Sequence, residues 1–442
     1  MALLGPFGPR RGRRVNGHRG GRKDLVTVID LGSSSITCLI ARRAPDDDAG
    51  YVGGLIDVVG IGRAPSRGVK AGAVIDMDAA SADIRAAVEE AEQMAGAAVH
   101  LATVGFGGGQ PTSHSLFAET VLDERPIDDR DLRRALDGAL AEFGADERLV
   151  LHAIPLSWSI DAHRGVRDPR GMFGRSLGVE VHVVSAAAGP VRNLDFCLSR
   201  AGLVLHNVVA TPYAAGLSTL VEDETDLGVT LIDLGASLTT AAVFIDSALV
   251  HVDALPVGAG HISADLARGL STPLADAERI KRRWGSLVET AGDDCELIDC
   301  PQLGEARSLL QAPRSVVRDI IRPRVEETVE IMRDRLAAAG VLRAAGPRVV
   351  LTGGGSRLGG VARVAAEIMG KRVRVARPFG VAGLPEGDDG PEMAAAVGLL
   401  HHVFGGPAEA CAGPFQFGPE LGASRKPMAP MRQAAAWLKE NF

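Results

Sequence analysis

The feature that most constrains this 442-residue chain is a repeat. Laid over one another at a constant offset of 203, residues 25–41 and 228–244 agree at Val26/Val229, Thr27/Thr230, Ile29/Ile232, Asp30/Asp233, Leu31/Leu234, Gly32/Gly235, Ser34/Ser237 and Thr37/Thr240, eight of seventeen positions. Each copy is an apolar run that ends in Asp-Leu-Gly, passes through small or hydroxyl residues and resumes as a second apolar run, which reads as a β-hairpin. One such hairpin is an ordinary tight turn, because Asp and Gly are common turn residues. Two at a fixed offset point to a duplicated unit.

The turns suggest a chemistry. Gly32, Ser33, Ser34 and Ser35 in the first copy, and Gly235, Ala236 and Ser237 in the second, carry no bulky side chain, so their backbone N–H groups can approach an anion. Asp30 and Asp233, at the strand ends, can hold a hydrated Mg²⁺ against phosphate charge. Two such loops facing each other would grip one polyphosphate. A third element, residues 348–356, is a strand running into Gly353, Gly354, Gly355 and Ser356, with a helix predicted from about Arg357. A fourth is the predicted helix around 276–281, where Glu278 and Lys281 lie three apart and share a face, as a ligand pair or as a solvated ion pair.

The rest of the chain sets bounds. At 46% hydrophobic and 23% charged residues it is globular, and 48 Lys+Arg against 55 Asp+Glu leave a net charge of −7, which argues against a nucleic-acid partner. Cys38, Cys197, Cys295, Cys300 and Cys411 are scattered without a CxxC, so neither a disulfide framework nor a zinc module is expected. The uncharged stretch 234–245 is far short of the ~20 residues of a spanning helix. Residues 1–23 hold seven Arg and Lys and no acid, and read as a basic disordered tail. From 25 to about 404, strands alternate with helices, an α/β pattern. Residues 405–427 hold five Gly and four Pro, and read as a flexible linker. Behind it, in 428–442, Pro430 suits a first helical position, and Met431, Ala435, Leu438 and Phe442 form one apolar stripe flanked by Arg432 and Lys439. That is an amphipathic helix suited to an anionic membrane surface, with Trp437 falling off the stripe.

The order of these motifs resembles that of the actin-like ATPase superfamily, which also contains chaperones and sugar kinases, and within it the FtsA family of bacterial cell-division proteins. Supporting landmarks are Ser66-Arg67-Gly68-Val69 with Ile75-Asp76, Asp168-Pro169-Arg170-Gly171-Met172, the run 220–230, Glu278 to Lys281, Pro323-Arg324 and Thr352 to Ser356. The resemblance implies an α/β, actin-like two-lobed ATPase fold: a first lobe at 24–95 and 172–212, an inserted small subdomain at 96–171, and a second lobe at 213–404 with a helical subdomain at about 260–345. It implies ATP and Mg²⁺ as ligands, with phosphates between the two loops, Asp30 and Asp233 reaching the metal through water, Gly353 to Ser356 lining the adenosine, Glu278 at the ribose and Lys281 at the ribose or base. It also implies a protein that polymerises with itself, binds the C-terminal tail of FtsZ and other division proteins, and tethers FtsZ filaments to the cytoplasmic face of the inner membrane at the septum. The FtsZ tail is expected at the helical subdomain, where Arg314, Arg318, Arg322 and Arg324 flank the apolar stripe Ile321, Val325, Val329, Met332 and Leu336 and would meet carboxylates of a short acidic peptide.

Two departures bear on chemistry. Ser35 stands where the family usually carries a Lys, and Gly235-Ala236-Ser237-Leu238 replaces the usual Gly-Gly-Gly-Thr, so nucleotide binding with at most slow hydrolysis is expected. Two other functions belong to the same superfamily. A small-molecule kinase needs an Asp general base beside an acceptor hydroxyl, and none stands out. A chaperone-type ATPase needs a peptide-binding β-domain after the ATPase, for which the residues beyond 404 are too few.

Overall fold

In a computed structural model of the chain, residues 25–43, 56–141, 143, 147–161, 163–304 and 309–405 are described. The basic tail expected at 1–23, the linker at 405–427 beyond Gly405, and the helix expected at 428–442 with Met431, Arg432, Leu438, Lys439 and Phe442 lie outside them.

Both repeats form hairpins, Val26–Leu31 with Ser35–Arg43 and Val229–Leu234 with Thr239–Ile245. The pairing runs Val26↔Ala41 to Leu31↔Ile36 in the first and Val229↔Phe244 to Leu234↔Thr239 in the second, the same register throughout at the offset of 203. Each hairpin sits inside a larger sheet of matching topology. The first sheet runs Val204–Ala210, Leu101–Phe106, Val26–Leu31, Ser35–Arg43, Ile56–Pro65, Val381–Ala382. The second runs Arg372–Val375, Arg348–Thr352, Val229–Leu234, Thr239–Ile245, Ala248–Leu255. In both, the hairpin's first strand is parallel to its outer neighbour and its second strand antiparallel to the next. Strands covered on both faces lose the polar alternation of a half-solvated sheet, which is why Val28, Ile29, Leu39 and Ile40 are all fully buried.

Helices cover the sheets. Met77–Ala95 is capped by Asp76, whose carboxylate accepts the amides of Asp78 and Ala79 at 3.0 Å, and it ends at Gly96 in the left-handed conformation. The helix Thr211–Thr219 and the last described helix, Ala394–Gly405, pack in the core of the first sheet together with Val229, Leu231 and Val350 of the second, so one hydrophobic core joins the two halves. A second core lies between the other face of the second sheet and the helices Ala259–Gly269, Leu274–Trp284, Arg314–Ala338 and Val361–Met369. The stripe Ile321, Val325, Val329, Met332 and Leu336 is buried there, as its spacing requires.

Four boundaries differ from the expected ones. The strand Leu101–Phe106, placed in the insert by the 96–171 limits, pairs with Val26–Leu31 and belongs to the first sheet, while Ser176–Ala187, placed in the first lobe, is a central strand of the inserted sheet. That sheet, Thr112–Val121, Ser176–Ala187, Arg148–Ile160, His163–Val166, carries the helix Asp129–Ala141 and its own core of Leu132, Leu136, Leu177, Val179, Val181 and Trp158. The chain after Val381 returns to the first lobe, because Val381–Ala382 pairs with Ile56–Pro65 and Ala394–Gly405 packs in the first core, so 213–404 is not one lobe. The glycine run enters a single 3₁₀ turn, Gly354–Arg357, and the α-helix expected from about Arg357 starts at Val361 behind a left-handed Gly360.

Candidate functional site

The two hairpin turns open onto one cleft of about 1410 Å³, lined by Asp30, Gly32, Ser33, Ser34, Ser35, Asp233, Gly235, Ala236, Glu278, Lys281, Gly353, Gly354 and Gly355. Of the ATP-site residues expected from sequence, Ser237 and Ser356 do not line it. Ser356 is buried, and its hydroxyl donates to the Gly353 carbonyl at 2.7 Å, bracing the turn from behind. The Ser237 hydroxyl accepts the Ala71 N–H at 2.8 Å, from the turn between the short strands Val69–Lys70 and Ala73–Val74. It ties the second loop to the first half of the molecule.

The hairpins place their carboxylates alike. Asp30 is opposite Thr37 across the turn and Gly105 on the parallel side; Asp233 is opposite Thr240 and Thr352. Burial pushes the Asp30 carboxyl up to about 7, with the facing charge of Asp233 adding to it, and burial alone pushes Asp233 up to about 6. Two half-buried carboxylates lining one cleft are a donor set that a cation could use. Among the described residues no group of three or more His, Cys, Asp or Glu is placed to hold a metal. Mg²⁺ fits such a sparse donor set, since it keeps waters and takes one or two carboxylates plus phosphate oxygens.

The turns themselves are tight. A Cβ on Gly32 would lie 2.7 Å from the Ser35 carbonyl oxygen, and one on Gly235 2.8 Å from that of Leu238, so both loops use the same fold-back. Gly353 has φ +79°, and a Cβ there would meet Asp233 Oδ1 at 2.0 Å, which brings the glycine turn directly against the Asp233 carboxylate. On the cleft's other wall, Glu278 Oε2 lies 2.7 Å from Lys281 Nζ and accepts from Ser263 Oγ at 2.5 Å, while Oε1 accepts from Arg282 Nε at 2.8 Å. Lys281 Nζ also donates to the Ala259 carbonyl at 2.9 Å. Burial would raise the Glu278 pKa, but the hydrogen bonds from Lys281, Ser263 and Arg282 outweigh it and hold the carboxyl below its usual range.

Arg63, Thr211, Ser263, Arg282 and Arg357 also line the cleft, and none was singled out from sequence. Arg282 was within reach of the spacing argument, four residues from Glu278 on one helix. Arg63 and Ser263 arrive through long-range pairing that no local pattern announces. The arginines assigned to an acidic peptide are already satisfied inside the chain: Arg318 Nη1 is 2.7 Å from buried Asp293, and Arg324 Nε is 2.7 Å from Asp265. They are not a free basic docking face.

A duplicated hairpin-centred sheet with a cleft between the copies defines the class: this is an actin-like ATPase fold with an inserted domain. Among solved structures, it is similar to the PilM-PilN type IV pilus biogenesis complex (TM-score 0.60, 18% identity, 85% of this chain and 97% of that one). It is also similar to MreB 5 of Spiroplasma citri bound to AMPPNP (TM-score 0.51, 11% identity, 86% and 96%). Residues 230–398 match the family described as cell division protein FtsA, and residues 108–185 match the SHS2 domain inserted in FtsA, which is where the separate four-stranded sheet lies. The chain is 40% identical over 427 residues to the cell division protein FtsA of Rhizobium meliloti (strain 1021), covering 95% of this chain and 96% of that one. It therefore belongs to the FtsA family of cell division proteins.

Proposed function

We propose that this division protein binds ATP·Mg²⁺ in the cleft between its two Asp-Leu-Gly hairpins, assembles head to tail, and tethers FtsZ filaments to the cytoplasmic face of the inner membrane at the septum. The observation that carries the reading is the pair of half-buried carboxylates, Asp30 and Asp233, on two hairpins of identical register lining one cleft. At about 1410 Å³ the cleft is larger than the ~300–1,000 Å³ of common small-molecule pockets, so it has room for a nucleotide. Beside Asp233, Thr240 Oγ1 is buried and has no hydrogen-bond partner among the described residues, and it lines the cleft. Asp30 and Asp233 would hold the metal through water, residues 32–35 and 235–236 the phosphates, Gly353 to Gly355 the adenosine, and Glu278 and Lys281 the ribose end. Bound ATP supplies a polyanion that both halves of the molecule can grip at once.

Ala236 and Leu238 replace a glycine and a hydroxyl in the second loop, so ATP here acts mainly as a closing ligand. Steady turnover well under the ~10 s⁻¹ typical of enzymes is expected, and turnover near that rate would contradict it. No helix among the described residues is long and apolar enough to cross a membrane. Peripheral attachment is assigned to residues 428–442 on their sequence pattern, with a marginal single contact made firm when a filament aligns many tails. Titrating ATP·Mg²⁺ calorimetrically into the full chain and into Asp233→Ala tests the ligand: unchanged affinity in the variant sinks the assignment. Co-sedimentation with anionic liposomes tests the tether. Deleting 428–442 should abolish pelleting while ATP affinity stays, and a truncated protein that still pellets overturns this part.

A further inference from the structure

We propose that Arg63 supplies the cation for a bound polyphosphate that neither hairpin loop carries. This rests on the reading of the cleft as a nucleotide site and names a residue that acts in it. Residues 32–35 and 235–238 contain no Lys or Arg, while the ligand is polyanionic and Asp30 and Asp233 add negative charge beside it. Arg63, Lys281, Arg282 and Arg357 are the cations lining the cleft among the described residues. Lys281 and Arg282 are drawn to Glu278 on the helix Leu274–Trp284, and Arg357, past the glycine turn, pairs with Glu392 at 2.8 Å.

Arg63 alone stands on a strand next to a hairpin. It is the cross-strand partner of Thr37, which is the partner of Asp30, so Asp30, Thr37 and Arg63 form a row over three adjacent strands and project to one face of the sheet. Two residues on, Pro65 partners Ser35, and the Ser66 N–H donates to the Ser34 carbonyl at 3.1 Å. The strand Ile56–Pro65 thus delivers a guanidinium alongside the first loop.

Arg63 Nη1 lies 2.7 Å from Asp388, Nη2 touches Met393 Sδ, and the side chain is 36% exposed. A partly exposed ion pair of this kind contributes little to stability, whereas the planar fork suits phosphate oxygens bidentately. An incoming phosphate can therefore take the fork from Asp388.

The test compares ATP·Mg²⁺ with adenosine by calorimetric titration of the full chain. Arg63→Gln should lower ATP affinity about tenfold and leave adenosine affinity unchanged, since a hydrogen bond to a charged group is lost only for ATP. Arg63→Lys should recover part of the loss, and Asp388→Asn, which releases the fork, should keep or raise ATP affinity. An ATP-to-adenosine affinity ratio in Arg63→Gln equal to that of the wild type overturns the inference. So does a loss of ATP affinity in Asp388→Asn as large as that in Arg63→Gln, which marks the pair as structural. If the wild type itself binds ATP no better than adenosine, the nucleotide reading fails first, and Arg63 falls with it.

Discussion

The two hairpins are copies in backbone and unlike in their surroundings. In the first, Ser34 and Ser35 are exposed to the cleft, and the loop is tied to the strand Ile56–Pro65 by the Ser35↔Pro65 pairing and the Ser66 N–H on the Ser34 carbonyl. In the second, the carbonyls of Gly235 and Ala236 accept the amides of Ala259 and Gly260 at 2.9 and 2.7 Å, and the Ser237 hydroxyl accepts the Ala71 N–H. One loop is open toward the cleft; its twin is held on both sides by protein. The same Ser, at the same place in a duplicated motif, lines the cleft in one copy and joins the two halves in the other. A repeat thus keeps the backbone of the turn, while the roles of its side chains diverge.

The comparison breaks most visibly at the carboxylates. If the copies share the metal, Asp30→Ala and Asp233→Ala should each lower Mg²⁺-dependent ATP affinity by tenfold or more, measured by calorimetry with and without Mg²⁺. A large effect from one and none from the other would show that only one hairpin acts. Gly353→Ala comes next. It forces a Cβ against Asp233 at a positive φ, so it should destabilise the fold by ~1–3 kcal/mol in denaturant titrations and weaken ATP binding in the same variant.

The pH dependence follows from the raised carboxyls, about 7 for Asp30 and about 6 for Asp233 against an ordinary value of 3.8. A raised carboxyl pKa means that the folded chain holds protons which the unfolded chain has released. Their contribution to ligand-free stability is therefore full below about pH 4 and is lost as pH climbs through about 7. ATP·Mg²⁺ needs the ionised forms, so affinity should rise between about pH 5.5 and 8, with protons released on binding; titrations in two buffers of different ionisation heat measure this. The smallest effect separates the twin serines. Ser237→Ala should cost about 1 kcal/mol of ligand-free stability through its lost tie to Ala71, whereas Ser34→Ala should leave ligand-free melting unchanged and weaken ATP binding slightly.

The hairpins were legible because their signal is local: an apolar run, an Asp-Leu-Gly end, and a second copy to set the register. The Glu278–Lys281 ion pair was legible for the same reason, its members lying one helical turn apart. Ser237 and Ser356 were misplaced because a short hydroxyl after a glycine turn can face a ligand or a neighbouring backbone, and only the tertiary fold decides. The insert's limits were missed because Leu101–Phe106 and Ser176–Ala187 are both apolar strands, told apart only by their partners. Arg318 and Arg324 looked like free cations because Asp293 and Asp265, their partners, lie 25 and 59 residues away in sequence.

The most direct measurement is a crystal structure of the full chain grown with ATP and Mg²⁺. Triphosphate density between the loops at 32–35 and 235–238, with the metal beside Asp30 and Asp233, is the expected result. A nucleotide bound elsewhere, or a folded protein with an empty cleft at saturating ATP·Mg²⁺, would contradict the paired-hairpin clamp.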